Sequence, residues 1–203
     1  EVLQKNTWKF LNKNYFDNNK SQNVLVMGDS HSIGIFNSFF LNQDLFIEYE
    51  FAWRRLEIQA FQQNKKFFNT LAIKKKIKTT KETLNSQAFK ESDVVVLSYR
   101  FSEEGTNGLK ELINLLKKNK KKIILMSQTN EYKTYSGIYS TEYDNFIKKK
   151  IKTKSKVNET DLVELMKKLY VEKKDFKNLN DEFKKIASIQ NIKFFSKQKY
   201  LCN

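Results

Sequence analysis

Asn23-Val24-Leu25-Val26-Met27-Gly28-Asp29-Ser30-His31-Ser32-Ile33-Gly34 is the stretch that decides how this chain reads. A run of apolar strand formers stops at Gly28, and a small acidic and hydroxyl cluster follows. Ile33, Ile35, Phe36, Phe39 and Phe40 then carry helical spacing on one side. The pattern predicts a short buried strand, a sharp turn and a helix to about Leu41. Ser30 then stands at the carboxyl end of a strand, where open α/β sheets bind ligands. It also stands in the first helical turn, where unpaired N–H groups can receive a developing negative charge. A serine there is a candidate nucleophile, provided a base can reach it.

Working outward, Leu3, Trp8, Leu11 and Tyr15 predict a lead-in helix over 3–16, and 17–22 is a polar connector. The alternating, aromatic-rich residues from Leu45 to Trp53 predict a second strand. Residues 54–91 read as mostly helical, with Leu56, Ala60, Phe61, Phe67, Phe68, Leu71, Ile73 and Ile77 as core candidates. Asp93 to Tyr99 is a second fully apolar strand. Leu109, Leu112, Ile113 and Leu116 mark one face of a helix over 105–119. Lys122 to Met126 and Lys193 to Phe195 complete the strands. A lysine-rich helical region between them, about 142–189, is expected to break near Asn158 and Asn178. Buried strands alternating with helices predict an α/β three-layer sandwich: a short parallel sheet of about five strands flanked by helices. No linker, repeat or low-complexity break divides residues 1–203, so a single domain is expected.

The 203 residues suffice for one sizeable core. The first residue is Glu1 rather than Met, as in a processed or excised piece. No apolar run approaches a membrane span in length, and any anchor is expected outside these residues. A net charge of +15 invites a nucleic-acid reading. Almost all of that charge is lysine, however; only Arg54, Arg55 and Arg100 offer the planar fork that grips phosphates and reads bases. The lysines therefore read as a solvated surface, with a basic face for anionic polysaccharide or lipid headgroups as the other reading. Cys202, the one cysteine, cannot form an internal disulfide. No metal-ligand cluster, phosphate-binding glycine loop or dinucleotide fingerprint occurs, so neither metal nor cofactor is expected.

The Gly28-Asp29-Ser30-His31-Ser32 block after a Val/Leu-rich strand resembles the first block of the SGNH (GDSL-type) hydrolase superfamily. The Gly-Asp-Ser-His form and the layout most resemble the SGNH domains attached to acyltransferase-3 membrane proteins that O-acetylate surface polysaccharides. Leu201-Cys202-Asn203 is similar to the Leu-Cys pair that those domains place shortly before an Asp-x-x-His. The resemblance implies a flavodoxin-like SGNH fold and an extracytoplasmic setting in the periplasm or cell envelope. It also implies that the residues given stop short of the segment holding the catalytic acid and base. In the implied chemistry Ser30 attacks an ester carbonyl, a histidine takes its proton, and an aspartate orients the imidazole. The expected partners are an acylated glycan substrate and a membrane acyltransferase domain as acyl donor; the resemblance argues against nucleic acid.

His31 is the sole histidine and no Asp-x-x-His occurs in the sequence. Adjacent side chains on such a turn diverge, so His31 is expected to pack or hydrogen-bond beside the site. Asp29 is expected to cap the helix or bond local N–H groups. The family's oxyanion hole uses the serine N–H, a glycine N–H after the second strand and an asparagine after the third. Here no glycine lies between Gly34 and Gly105, and the third strand ends Ser98-Tyr99-Arg100-Phe101. A backbone donor near Trp53 to Leu56 remains open. Arg100 could stabilise an oxyanion, bind an anionic sugar, or form a surface salt bridge. Gln128 and Asn130 are pocket candidates, as is Tyr99; Trp53, Tyr99 and Tyr132 offer faces for a sugar ring or simply edge the core. Ser32 and Ser127 read as local hydrogen-bonders. The sequence thus leaves a serine esterase or O-acyltransferase domain first and a non-catalytic glycan-binding or scaffold module second.

Overall fold

The structure is a computed structural model that describes residues 11, 15–61, 71–99, 106–128, 149–150, 152–153, 158, 160, 163–164 and 174–197. Residues Glu1–Gln128 with Leu179–Asn203 make one compact unit and Thr129–Asn178 another. In the second, the described residues include helical positions at 149–150, 160 and 163–164. All five described strands belong to the first.

In order they are β1 (Gln22–Gly28), α1 (Ser30–Leu41), β2 (Tyr49–Arg55), α2 (Leu71–Asn85), α3 (Gln87–Glu91), β3 (Val94–Ser98), α4 (Thr106–Lys118), β4 (Lys122–Met126), α5 (Lys174–Ile189) and β5 (Lys193–Phe195). The sheet is wholly parallel, in the order β2-β1-β3-β4-β5. This is an α/β fold with a five-stranded parallel sheet flanked by helices, in the flavodoxin-like strand order. β1 and β3 are central and buried on both faces, which is why they read as unbroken apolar runs. The step from β1 to β2 goes one way and every later step goes the other. Right-handed crossovers then put α1 on one face and the other connecting helices on the opposite face.

On the α1 face, Val24, Val26, Phe51, Val94, Val96 and Met126 pack with Leu11 and the fully buried Phe36. Leu109, Leu112, Ile113 and Leu116 of α4 are all fully buried, as the helical spacing requires. α4 and α5 are each followed two residues on by a left-handed residue, Lys120 (φ 57°) and Asn191 (φ 47°). The Lys121 N–H closes back on Leu116 O at 3.0 Å and the Ile192 N–H on Ala187 O at 2.9 Å. Those bonds satisfy carbonyls that the helix ends leave over.

Several boundaries differ from the sequence reading. β2 begins at Tyr49, not Leu45; Gln43–Leu45 is a 3-10 turn and Leu45 is exposed. The strand runs on through Arg54 and Arg55, which the sequence placed in a helix. Leu71 is exposed rather than core. The buried positions of α2 are instead Thr80 and Thr83, which bond the end of β2 and the chain just past it: Thr83 Oγ donates to Arg55 O, and Thr80 Oγ accepts from the Glu57 N–H at 3.1 Å. Ile73 and Ile77 are half-buried on the same face of the helix as Thr80. Ser86 separates α2 from α3, its Oγ accepting from the Phe89 N–H. Asn178 lies inside α5 rather than at a break. Phe67, Phe68 and most of the 3–16 segment lie outside the described residues, although Leu11 is helical and buried.

Candidate active site

Neighbouring strand connections diverge between β1 and β3, and α/β sheets bind ligands at the carboxyl ends of such a pair. There is no room for a side chain between the two strands there. Gly28 faces Ser98 in the register, and a Cβ on Gly28 would sit 1.8 Å from Ser98 O and 2.8 Å from Ser32 Cβ. Only a glycine lets β1 end against β3 and turn at once into α1.

That turn presents Ser30. Asp29 is the N-cap of α1, with its Oδ1 accepting from the His31 N–H at 2.9 Å and its carbonyl from the Ser32 N–H at 3.1 Å. Ser30 is therefore the first helical residue and is exposed. Its N–H has no carbonyl inside the helix to bond and lies at the positive end of the helix dipole. His31 Nδ1 stands 3.4 Å from the same Asp29 oxygen, so the imidazole lies beside its own turn. Ser32 is fully buried; its Oγ donates to Asp29 O at 2.6 Å and accepts from Trp53 Nε1 at 2.6 Å. Ser32 pins the turn to β2 and faces away from solvent, which suits a structural hydroxyl.

The N–H groups just past β2 are already committed. Leu56 N–H donates to Gly28 O at 3.0 Å and Glu57 N–H to Thr80 Oγ. Leu56 is thus not an oxyanion donor in this arrangement. Glu57, buried, takes Arg55 Nε at 2.7 Å, with Lys76 Nζ at 4.0 Å. Past β3, Tyr99 is buried, and burial first, then the Asp29 and Glu57 carboxylates, push its phenol well above the ordinary value. It stays protonated and can only offer a neutral hydroxyl. Past β4, Ser127 and Gln128 are buried, with the Gln128 N–H on Asn180 Oδ1 at 2.8 Å and Asn180 Nδ2 returning to Gln128 O. Arg100, Asn130 and Tyr132 lie outside the described residues.

The described structure thus gathers Asp29, Ser30, His31, Tyr99 and Gln128 at the carboxyl ends of β1, β3 and β4. It adds two groups that the sequence reading did not single out, Glu57 past β2 and Lys197 past β5. Lys197 is 4% exposed and its Nζ donates to Ser98 Oγ at 3.3 Å. Nothing in the sequence marks it, one basic residue among 38. Among the described residues no group of His, Cys, Asp and Glu could hold a metal ion.

No protein-family model matches the chain, and no curated protein matches it. Solved structures do. One is a "putative acylhydrolase" from Bacteroides fragilis, with a TM-score of 0.46 and 14% identity, over 94% of this chain and 76% of that one. Another is an acetyl xylan esterase, with a TM-score of 0.42 and 14% identity, over 87% of this chain and 78% of that one.

Proposed function

We propose that the chain is a serine esterase or O-acyltransferase domain of the SGNH type, working through an acyl-Ser30 intermediate on O-acyl groups of a cell-surface or exported glycan. One observation carries the reading: an exposed serine as the first residue of a helix, directly after a central parallel strand, beside the switch point of the sheet. Ser30 Oγ attacks the ester carbonyl, and the oxyanion that forms lies at the N-terminus of α1. Collapse breaks the ester C–O bond, and the alcohol leaves with the proton that the base took from Ser30. Water or a sugar hydroxyl then accepts the acyl group. The resemblance assigns the base to the histidine of an Asp-x-x-His, a pattern that does not occur in these 203 residues. Under the same reading the acyl donor is a membrane acyltransferase domain and the setting is extracytoplasmic.

A non-catalytic glycan-binding or scaffold role is the second reading. It is favoured by the committed Leu56 and Glu57 N–H groups, which leave the second oxyanion position without those donors. Acetate release from an O-acetylated oligosaccharide, measured on the full-length protein and its Ser30→Ala variant, separates the two. The catalytic reading expects turnover that Ser30→Ala abolishes; binding without turnover in either protein supports the scaffold.

A further inference from the structure

Lys197 is the buried lysine of the described residues, and its amine reaches the end of β3, the strand beside the Ser30 turn. The Lys197 N–H donates to Ser127 Oγ at 2.7 Å, and the Ser127 N–H donates to Phe195 O at 2.8 Å. The ends of β4 and β5 are tied together by those bonds. From there the side chain crosses the end of β4 and delivers Nζ to Ser98 Oγ, 3.3 Å away at the end of β3. Ser98 is fully buried and faces Gly28, so the amine finishes one strand from the turn that carries Asp29 and Ser30. Among the described residues the charge that acts on it is the Asp29 carboxylate of the β1–α1 turn, with His31 Nδ1 beside that carboxylate on α1. β3 and β4 contribute the neutral hydroxyls of Ser98 and Ser127, and the Tyr99 phenol stays neutral too. Burial lowers the Lys197 pKa to about 8 against the opposing pull of Asp29.

A buried ammonium whose partner among the described residues is a neutral hydroxyl destabilises the fold, and an apolar side chain would fill the same space without that cost. We infer that Lys197 is a positioning residue for Ser30: its ammonium, resting on Ser98 one strand away, keeps a positive field at the Ser30 turn. The inference rests on the acyl-Ser30 reading. A positive charge beside the turn favours the alkoxide that forms as Ser30 loses its proton. The charge is present below about pH 8 and lost above it, so the contribution of Lys197 to Ser30 reactivity falls as pH rises through that value.

The test follows fluorophosphonate labelling of Ser30 by peptide mass spectrometry from about pH 6 to about pH 10, the range that brackets the amine. Wild type, Lys197→Met and Lys197→Arg are compared in the full-length protein. An NMR titration of the Lys197 side chain in wild type and Asp29→Asn runs alongside. At neutral pH Lys197→Met should label on the order of tenfold more slowly, the effect of one pKa unit of charge interaction. The wild-type advantage should vanish above about pH 8, whereas Lys197→Arg, charged throughout, should keep it. Asp29→Asn should move the lysine midpoint down. Equal labelling in wild type and Lys197→Met overturns the inference, as does a ratio between them that stays constant through pH 8. If the Lys197 variants do not fold, a midpoint unmoved by Asp29→Asn overturns it. Absence of label at Ser30 in every protein refutes the acyl-Ser30 reading itself, and the titration still decides whether Lys197 and Asp29 are coupled.

Discussion

Replacing Gly28 by alanine tests the join between fold and site. The added Cβ would lie 1.8 Å from the carbonyl oxygen of Ser98 and 2.8 Å from Ser32 Cβ. Carbon and oxygen ordinarily approach to about 3.3 Å, so β1 and β3 must part by about 1.5 Å at this point. Neither neighbour yields easily. Ser98 O is backbone at the end of a central strand, and Ser32 is fully buried with its hydroxyl bonded to Asp29 O and Trp53. Overpacking costs about 1–3 kcal/mol, and a backbone clash on two sides puts this change at the upper end, about 3 kcal/mol. For a chain of this length that corresponds to a fall in Tm of roughly 6–12 °C. Denaturant and thermal unfolding of Gly28→Ala measure it. Gly34→Ala is the internal control, because nothing lies within 4 Å of its added Cβ; helix propensity alone should raise stability there by up to about 1 kcal/mol. An unchanged midpoint for Gly28→Ala would refute the close approach of β1 to β3 and, with it, the stated geometry of the Ser30 turn.

Other outcomes follow from individual contacts. Ser32→Ala leaves the Trp53 indole N–H without its acceptor and should cost about 1–3 kcal/mol, read by unfolding and by a shift in tryptophan emission. Lys120→Gly relieves a left-handed residue at the end of α4 and should stabilise by up to about 1 kcal/mol in denaturant titration; a loss of stability would contradict the Lys120 conformation. Lys197 has a folded pKa of about 8, below the unfolded value of about 10.4. Between those values the unfolded chain holds a proton that the folded chain has released, so this group makes stability rise with pH across that window. Lys197→Met should lack that rise and be at least as stable as wild type at neutral pH; parallel pH–stability curves would contradict the burial of the amine.

The β1–turn–α1 unit was legible because several local signals agree there: an unbroken apolar run, a glycine, an N-capping aspartate and a helical period. β3, β4 and α4 were legible for similar reasons, each carrying one clear period or one buried run. β2 was not bounded correctly because Leu45 and Ile47 continue an apolar alternation although both are exposed. After β2 the helical reading is right for α2 and α3 but begins too early, at Arg54, and the buried hydroxyls of Thr80 and Thr83 are contacts that hydropathy does not register. At the site, Asp29, Ser30 and His31 are contiguous and could be read from one turn. Lys197 reaches it only through the parallel pairing of β3, β4 and β5, a contact across 99 residues that no spacing encodes.

Under the proposed function Ser30 takes up the acyl group. Brief exposure of the full-length protein to an activated acetyl ester, followed by acid quench and peptide mapping, asks this directly. Acetyl is expected on the peptide containing Ser30, removable by hydroxylamine and missing from a folded Ser30→Ala variant. Acetyl carried by another residue, or equally by Ser30→Ala, would contradict it.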